Sequence, residues 1–83
     1  MDYDAAVGYY QQYFAGRAGP INDRRDFAEL QLERAAIADA RSMLSVAAQS
    51  RAAAAASLDS IAARVTLTHR DSVLMQRTQI ALR

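Results

Sequence analysis

Apolar residues recur every seven positions between residues 27 and 66 and predict one long helix over residues 23–66. One heptad position carries large side chains with Arg51 as the single interruption: Leu30, Ile37, Leu44, Leu58 and Val65. The position three residues further along holds Glu33, Ala40, Ala47, Ala54 and Ile61. Alanine favours helix and adds little bulk, so a partner helix could approach closely on that side. A helix of this length would be a rod of roughly 60 Å, whose apolar seam must be buried against another surface.

The first fourteen residues contain five of the six aromatic residues and predict a short helix over residues 3–15. Tyr3, Val7, Tyr10 and Phe14 follow helical spacing and form an aromatic stripe. Such a stripe is typical of packing against a core or an interface. The alternative, a stacking platform for nucleic-acid bases, is disfavoured because acidic residues surround the stripe at its start.

Residues 16–22 predict a turn that separates the aromatic helix from the long one. Gly16 suits a helix C-cap, and Gly19-Pro20 prevents the helix from continuing. Asn22 or Asp23 is expected to cap the next helix. The turn would let the aromatic helix fold back onto Phe27 and Leu30.

The pattern changes after Val65 and predicts a kink near residue 67, followed by a final helix over residues 69–82. Thr68 and Asp71 stand in the spacing of a capping box, in which each residue satisfies a backbone N–H of the other.

Arg51 in the preceding helix has two interpretations. Its stem could lie along the seam while the guanidinium reaches solvent or an acid, or it could set the register of an assembly.

The size and composition of the chain favour association. Its 83 residues are 52% apolar, but alanine supplies much of that fraction, so a self-sufficient core would be marginal. The absence of cysteine excludes disulfides and thiolate metal sites. The net charge of +1 argues against a general polyanion binder. Residues 1–33 carry six acids and three arginines, and residues 34–83 carry three acids and seven arginines. This asymmetry fits antiparallel or staggered neighbours and equally fits a solvated polar face.

Candidate catalytic chemistry is weak. Glu29 and Glu33 lie four residues apart on one helical face, but no histidine stands in the spacing of a carboxylate metal site. His69 is the single histidine, and no glycine-rich phosphate loop is present. We therefore expect no enzymatic activity, no cofactor, no metal and no small-molecule substrate. No apolar run suits a membrane span, the acidic start is unlike a cleavable signal peptide, and we expect a soluble chain made in the cytoplasm before assembly.

The sequence thus predicts an all-α chain with a structural function. The chain would pack its apolar seam against copies of itself or other proteins of a larger assembly, such as a virus or phage particle or a secretion filament. The alternative is a small adaptor or chaperone that clasps one partner protein. A nucleic-acid binder is disfavoured by the low net charge. The predicted interface residues are Tyr3, Val7, Tyr10, Phe14, Leu30, Ile37, Leu44, Ala47, Ala54, Leu58, Ile61, Val65, Leu74 and Leu82.

Overall fold

A computed structural model describes the backbone of residues 2–82 and the side chains of residues 2–79. Within that range the chain forms four helices and no strand, which confirms the all-α class. The helices are α1 (Tyr3–Phe14), α2 (Ile21–Ala40), α3 (Leu44–Ala62) and α4 (His69–Leu82).

The prediction of one continuous helix over residues 23–66 is wrong, because the chain reverses at residues 41–43 to form the α2–α3 hairpin. Ser42 adopts a left-handed conformation with φ of 57°. The N–H of Met43 donates to the Ala38 carbonyl at 2.8 Å, and the N–H of Ser42 donates to the Asp39 carbonyl at 3.0 Å. These two bonds form a Schellman motif, which satisfies the last carbonyls of α2 without a glycine.

The two helices of the hairpin bury mostly small side chains at alternating spacings of three and four residues, a pattern we call the small-residue seam. Both helices show a periodicity that suits close antiparallel packing. In α3 the seam includes Ala47 and Ala54, which the heptad pattern predicted. In α2 the seam residues occupy positions other than those that the heptad pattern predicted. Its members are Ala28, Gln31, Ala35 and Ala38 of α2, and Ala47, Ser50, Ala54, Ser57 and Ile61 of α3.

Helix α1 folds back onto the first half of α2 through aromatic rings. Phe27 meets Tyr10 and Phe14 edge to face, with ring centroids 5.7 and 5.6 Å apart. The Arg24 guanidinium lies 3.8 Å from the Phe14 centroid, and it also donates to the carbonyls of Arg17 and Ala18 in the connecting turn. The aromatic stripe therefore packs against the chain itself.

The start of α2 differs from the prediction that Asn22 or Asp23 would cap it. The helix begins at Ile21, with Pro20 at the N-cap position and no side-chain cap. Asn22 instead accepts a hydrogen bond from Arg25 at 2.8 Å, and Asp23 accepts one from the Tyr13 hydroxyl at 2.8 Å. Proline suits this boundary because its fixed φ is compatible with helix entry and it has no N–H to satisfy.

Helix α4 begins with the predicted capping box and is attached to α2 by it. The Asp71 N–H donates to Thr68 Oγ1 at 3.2 Å, and the Thr68 N–H donates to Asp71 Oδ2 at 3.1 Å. The buried Asp71 carboxylate also accepts two bonds from Arg25, at 2.6 and 3.0 Å. Beyond this point α4 packs over the hairpin in a core formed by Ala28, Leu32, Ala54, Leu58, Ile61 and Leu74.

The described chain measures 35 × 28 × 19 Å, far shorter than the predicted rod. The difference follows from the reversal at Ser42, which places the two halves of the predicted helix side by side. None of the helices in residues 2–82 combines the length and apolarity that a membrane crossing requires.

Candidate functional site

Most of the predicted interface residues lie inside the chain. The hairpin buries the alanine-rich side of the repeat against α2, and the aromatic stripe and α4 bury further positions. These residues could contact another molecule only if the fold opened. They are Val7, Phe14, Leu30, Ala47, Ala54, Leu58, Ile61 and Leu74.

The remaining predicted interface residues have different surroundings. Tyr3 and Tyr10 are half-buried. Ile37, Leu44 and Val65 are exposed large apolar residues, and the side chain of Leu82 lies outside the described residues. For the three exposed residues an intermolecular role stays a prediction.

Two of these exposed residues lie at the hairpin end, on a largely apolar surface that we call the tip surface. It consists of Ile37, Arg41, Met43, Leu44 and Val46. The exposed fractions are 36% for Ile37, 48% for Met43 and 69% for Leu44. Leu44 has the largest exposed fraction given for a large apolar side chain in the described part of the chain.

The tip surface is uncovered because α1 is shorter than α2. At 1.5 Å per residue, the 12 residues of α1 span roughly 18 Å, whereas the 20 residues of α2 span roughly 30 Å. Near the beginning of α1, Asp4 pairs with Arg34 of α2 at 2.8 Å. The last turn of α2 therefore extends beyond the Asp4–Arg34 pair, and α3 packs against it on the side of the buried Ala38 and Ala47.

A groove of about 380 Å³ lies between the beginning of α1 and the tip surface. Ile37, Met43 and Val46 supply apolar lining, and Asp2 and Arg41 contribute opposite charges. The groove is open to solvent, and the exposed Leu44 directly follows Met43 of its lining. Its shape and lining suit an apolar side chain with charged groups beside it.

The charged residues of the groove differ in their partners. Arg34 pairs with Asp4 and also donates to Ser50 Oγ at 3.0 Å, so both charges serve the fold. Arg41 forms no ion pair among residues 2–79, and neither does Asp2. Asp2 Oδ1 accepts the Ala5 N–H at 3.0 Å as the cap of α1, which leaves part of its carboxylate available. Both groups could contact charges on another molecule.

A second exposed feature is the tyrosine pair on the outer face of α1. The rings of Tyr9 and Tyr13 stack with centroids 6.2 Å apart and planes inclined by 11°. The hydrogen bond from the Tyr13 hydroxyl to Asp23 raises the pKa of Tyr13. This bond ties Tyr13 to α2 and engages its hydroxyl within the chain.

Of the two acidic residues considered for catalysis, Glu29 takes part in an ion pair, and so do the neighbouring acids Asp26 and Asp39. Arg70 reaches Glu29 at 2.6 Å and Asp26 at 3.4 Å, and Arg51 reaches Asp39 at 2.6 Å. The contact of Arg51 agrees with the interpretation in which its guanidinium finds an acid. No group of three potential metal ligands occurs among the residues that the structure describes. These acids and arginines join one helix to another.

Sequence reasoning missed Asp2, Arg41, Met43 and Val46 as parts of one site. Their proximity depends on the reversal at Ser42 and on the relative lengths of α1 and α2, and neither has a local sequence signal. Ile37 and Leu44 were named for another reason, as members of a buried seam.

No family model, curated protein or solved structure matches this chain. The tip surface is therefore interpreted from its geometry and chemistry.

Proposed function

We propose that the chain is a non-enzymatic structural subunit that joins a larger assembly through its tip surface. The observation that carries the proposal is the exposure of Ile37, Met43 and Leu44 together at one end of the fold. Burial of apolar surface contributes about 25 cal/mol per Å², so covering this cluster would favour association. Exposed apolar patches with polar borders are typical of protein–protein contacts.

The internal burial of the seam changes the expected mode of packing. A rod would associate along its length, whereas the folded hairpin presents its exposed apolar cluster at one end. Association end to end therefore requires no opening of the core. A virus or phage particle and a secretion filament are the proposed settings, because both assemble many small helical subunits.

The second candidate function is an adaptor that holds one partner protein. The groove beside the tip surface favours it, since a volume of about 380 Å³ can receive an anchoring side chain from a foreign chain. An adaptor of this kind would bind a projecting residue of its partner at the groove rather than enclose a whole helix.

The mass of the complexes that the chain forms in the cells that produce it distinguishes the two functions. Gentle cross-linking, purification and native mass measurement should give large, symmetric or polymeric species for a structural subunit. A discrete complex with one copy of another protein would support the adaptor and contradict the structural proposal.

The variant Leu44→Asp tests the surface in the same experiment. Leu44 is exposed at the first position of α3, where an acid is favoured by the helix dipole, so the fold should remain intact. We expect this variant to be lost from the complexes. The exposed Gln49→Asp on α3 is the control and should remain. Retention of Leu44→Asp at the wild-type level would contradict a docking role for the tip surface.

A further inference from the structure

We infer that the occupant of the tip surface is a second copy of the same chain, bound in a two-fold dimer. Leu44 of each copy would enter the groove of the other. This inference rests on the proposed function, because it assumes that the tip surface is the docking surface. It adds the identity of the partner and the residue pairs of the contact.

The first argument is the proximity of a projecting side chain and a groove on the same surface. Leu44 is 69% exposed and directly follows Met43, which lines the groove. A two-fold interface uses the same patch on both copies, so every contact occurs twice. One projecting leucine and one apolar groove per copy are therefore sufficient for mutual insertion.

The second argument is charge complementarity. Arg41, after the end of α2, and Asp2, before the start of α1, both line the groove and lack an ion pair among residues 2–79. In a two-fold dimer, Arg41 of one copy would face Asp2 of the other, and the symmetric pair would form on the opposite side. The tip surface and the groove beside it thus contain both halves of the charged contact as well as both halves of the apolar one. Binding of a different protein would not require both halves of each contact to be present on this chain.

The expected affinity is low and the assembly is closed. The tip surface comprises few side chains, fewer than the 20 or so that each partner contributes to a standard interface. A dissociation constant on the order of tens to hundreds of micromolar is appropriate for such a contact. Because a two-fold contact is closed, the tip surfaces pair the subunits into dimers. In the proposed assembly these dimers are the building units, and a further contact elsewhere on the chain joins them to one another.

Sedimentation equilibrium of the full chain tests the inference. Protein concentrations of about 5 to 500 μM bracket the expected dissociation constant. The wild type should change from monomer to dimer with rising concentration. Leu44→Asp should weaken dimerisation at least tenfold. Val65→Asp is the matched control, because Val65 is an exposed apolar residue beyond the opposite end of α3, and its dimerisation should match the wild type.

Charge reversal gives a test that folding defects do not imitate. Arg41→Asp alone and Asp2→Arg alone should each place like charges across the contact and remain monomeric. An equimolar mixture of the two variants should form a heterodimer, because both intermolecular pairs then join opposite charges. Asp2→Asn separates the capping role from the charge, since asparagine also caps helices and should give a milder loss.

The outcomes separate the inference from the proposed function. A wild-type chain that stays monomeric throughout would overturn the inference. If the complexes purified from cells nevertheless depended on Leu44, the tip surface would bind another protein. A dimer unaffected by Leu44→Asp would also overturn it, because the copies would then meet at another surface. Failure of the charge-reversed mixture to associate would remove the Arg41–Asp2 pairing.

Discussion

The connection that folds α1 onto α2 depends on a residue without a Cβ. Gly19 has φ of +71°, and a Cβ built on it would lie 2.5 Å from Cδ1 of Phe14. Gly8, within α1, is surrounded by open space and has no atom within 4 Å of the corresponding position. The same substitution should therefore have opposite effects at these two glycines.

We expect Gly19→Ala to lower the free energy of unfolding by about 2 kcal/mol or more, from the left-handed backbone and the displaced Phe14 ring. Gly8→Ala, the control, should raise it by up to about 1 kcal/mol because alanine favours helix. Urea denaturation followed by circular dichroism measures both. A neutral Gly19→Ala would show that Phe14 is free to move away from the turn.

Gln31 is a polar residue in the small-residue seam. It is 2% exposed, and its Oε1 has no hydrogen-bond donor in the described structure. Burial of an unsatisfied acceptor costs roughly 1–3 kcal/mol. Gln31→Met, which nearly conserves side-chain volume, should therefore stabilise the chain by about 1 kcal/mol or more. Thermal melts should show an upward shift for Gln31→Met and almost none for the exposed Gln49→Met. A destabilised Gln31→Met would mean that the amide has a partner in solution.

At the scale of elements, the hairpin depends on close approach between α2 and α3. Ala54 is fully buried in the small-residue seam, whereas Ala56 on the same helix is exposed. Enlarging a well-fitted contact typically costs 1–3 kcal/mol. We expect Ala54→Leu to destabilise the isolated chain by roughly that amount and Ala56→Leu to have little effect. Equal melting temperatures for the two variants would show that the helices are not closely packed at Ala54.

Local patterns predicted several elements of this fold. The aromatic spacing indicated α1 and its packing on Phe27, and Thr68 and Asp71 indicated the start of α4, because these signals lie within a few residues of their effect. The reversal at Ser42 had no such signal, since no glycine or proline occurs between residues 41 and 43. A left-handed serine costs roughly 1 kcal/mol, which burial of the seam can offset. That compensation involves residues distant in sequence, so a local pattern cannot show it.

The candidate site was less predictable than the fold. Ile37 and Leu44 carry the heptad pattern of a buried stripe, and their exposure is a consequence of the turn between them. Arg41 and Asp2 lie thirty-nine positions apart in the sequence. They line one groove because the beginning of α1 lies beside α2 near Arg34. Relative helix length decides this arrangement, and charge patterns alone do not encode it.

At the scale of the whole molecule, the Arg25–Asp71 pair joins the N-terminal parts of α2 and α4. Asp71 is fully buried, and its hydrogen bonds from Arg25 hold the pKa of its carboxyl below the ordinary value of 3.8. Because the folded-state pKa is lower than the unfolded-state value, the stabilising contribution is present above about pH 4. It is lost as the pH falls through the folded-state pKa, when the carboxylate is protonated.

Asp71→Asn should therefore lower the free energy of unfolding at neutral pH and reduce the further loss of stability at acid pH. Asparagine can still accept the Thr68 N–H, so the cap is retained while the charge is removed. Thermal melts between about pH 2 and 6 should show a smaller acid-dependent loss than in the wild type. The exposed Asp59→Asn on α3 is the control and should follow the wild-type profile. Parallel profiles for wild type and Asp71→Asn would mean that other carboxylates govern acid unfolding.

The short reversal at residues 41–43 also has a consequence for the order of folding. Helices joined by so few residues meet after closure of a small loop, and contacts near in sequence are typical of folding within microseconds to milliseconds. We expect the hairpin to form first and α1 and α4 to dock onto it from the two ends of the chain. In stopped-flow experiments, Ala54→Leu should then chiefly slow refolding, whereas Asp71→Asn should chiefly accelerate unfolding. The reverse assignment would place the nucleus at the contact between α2 and α4.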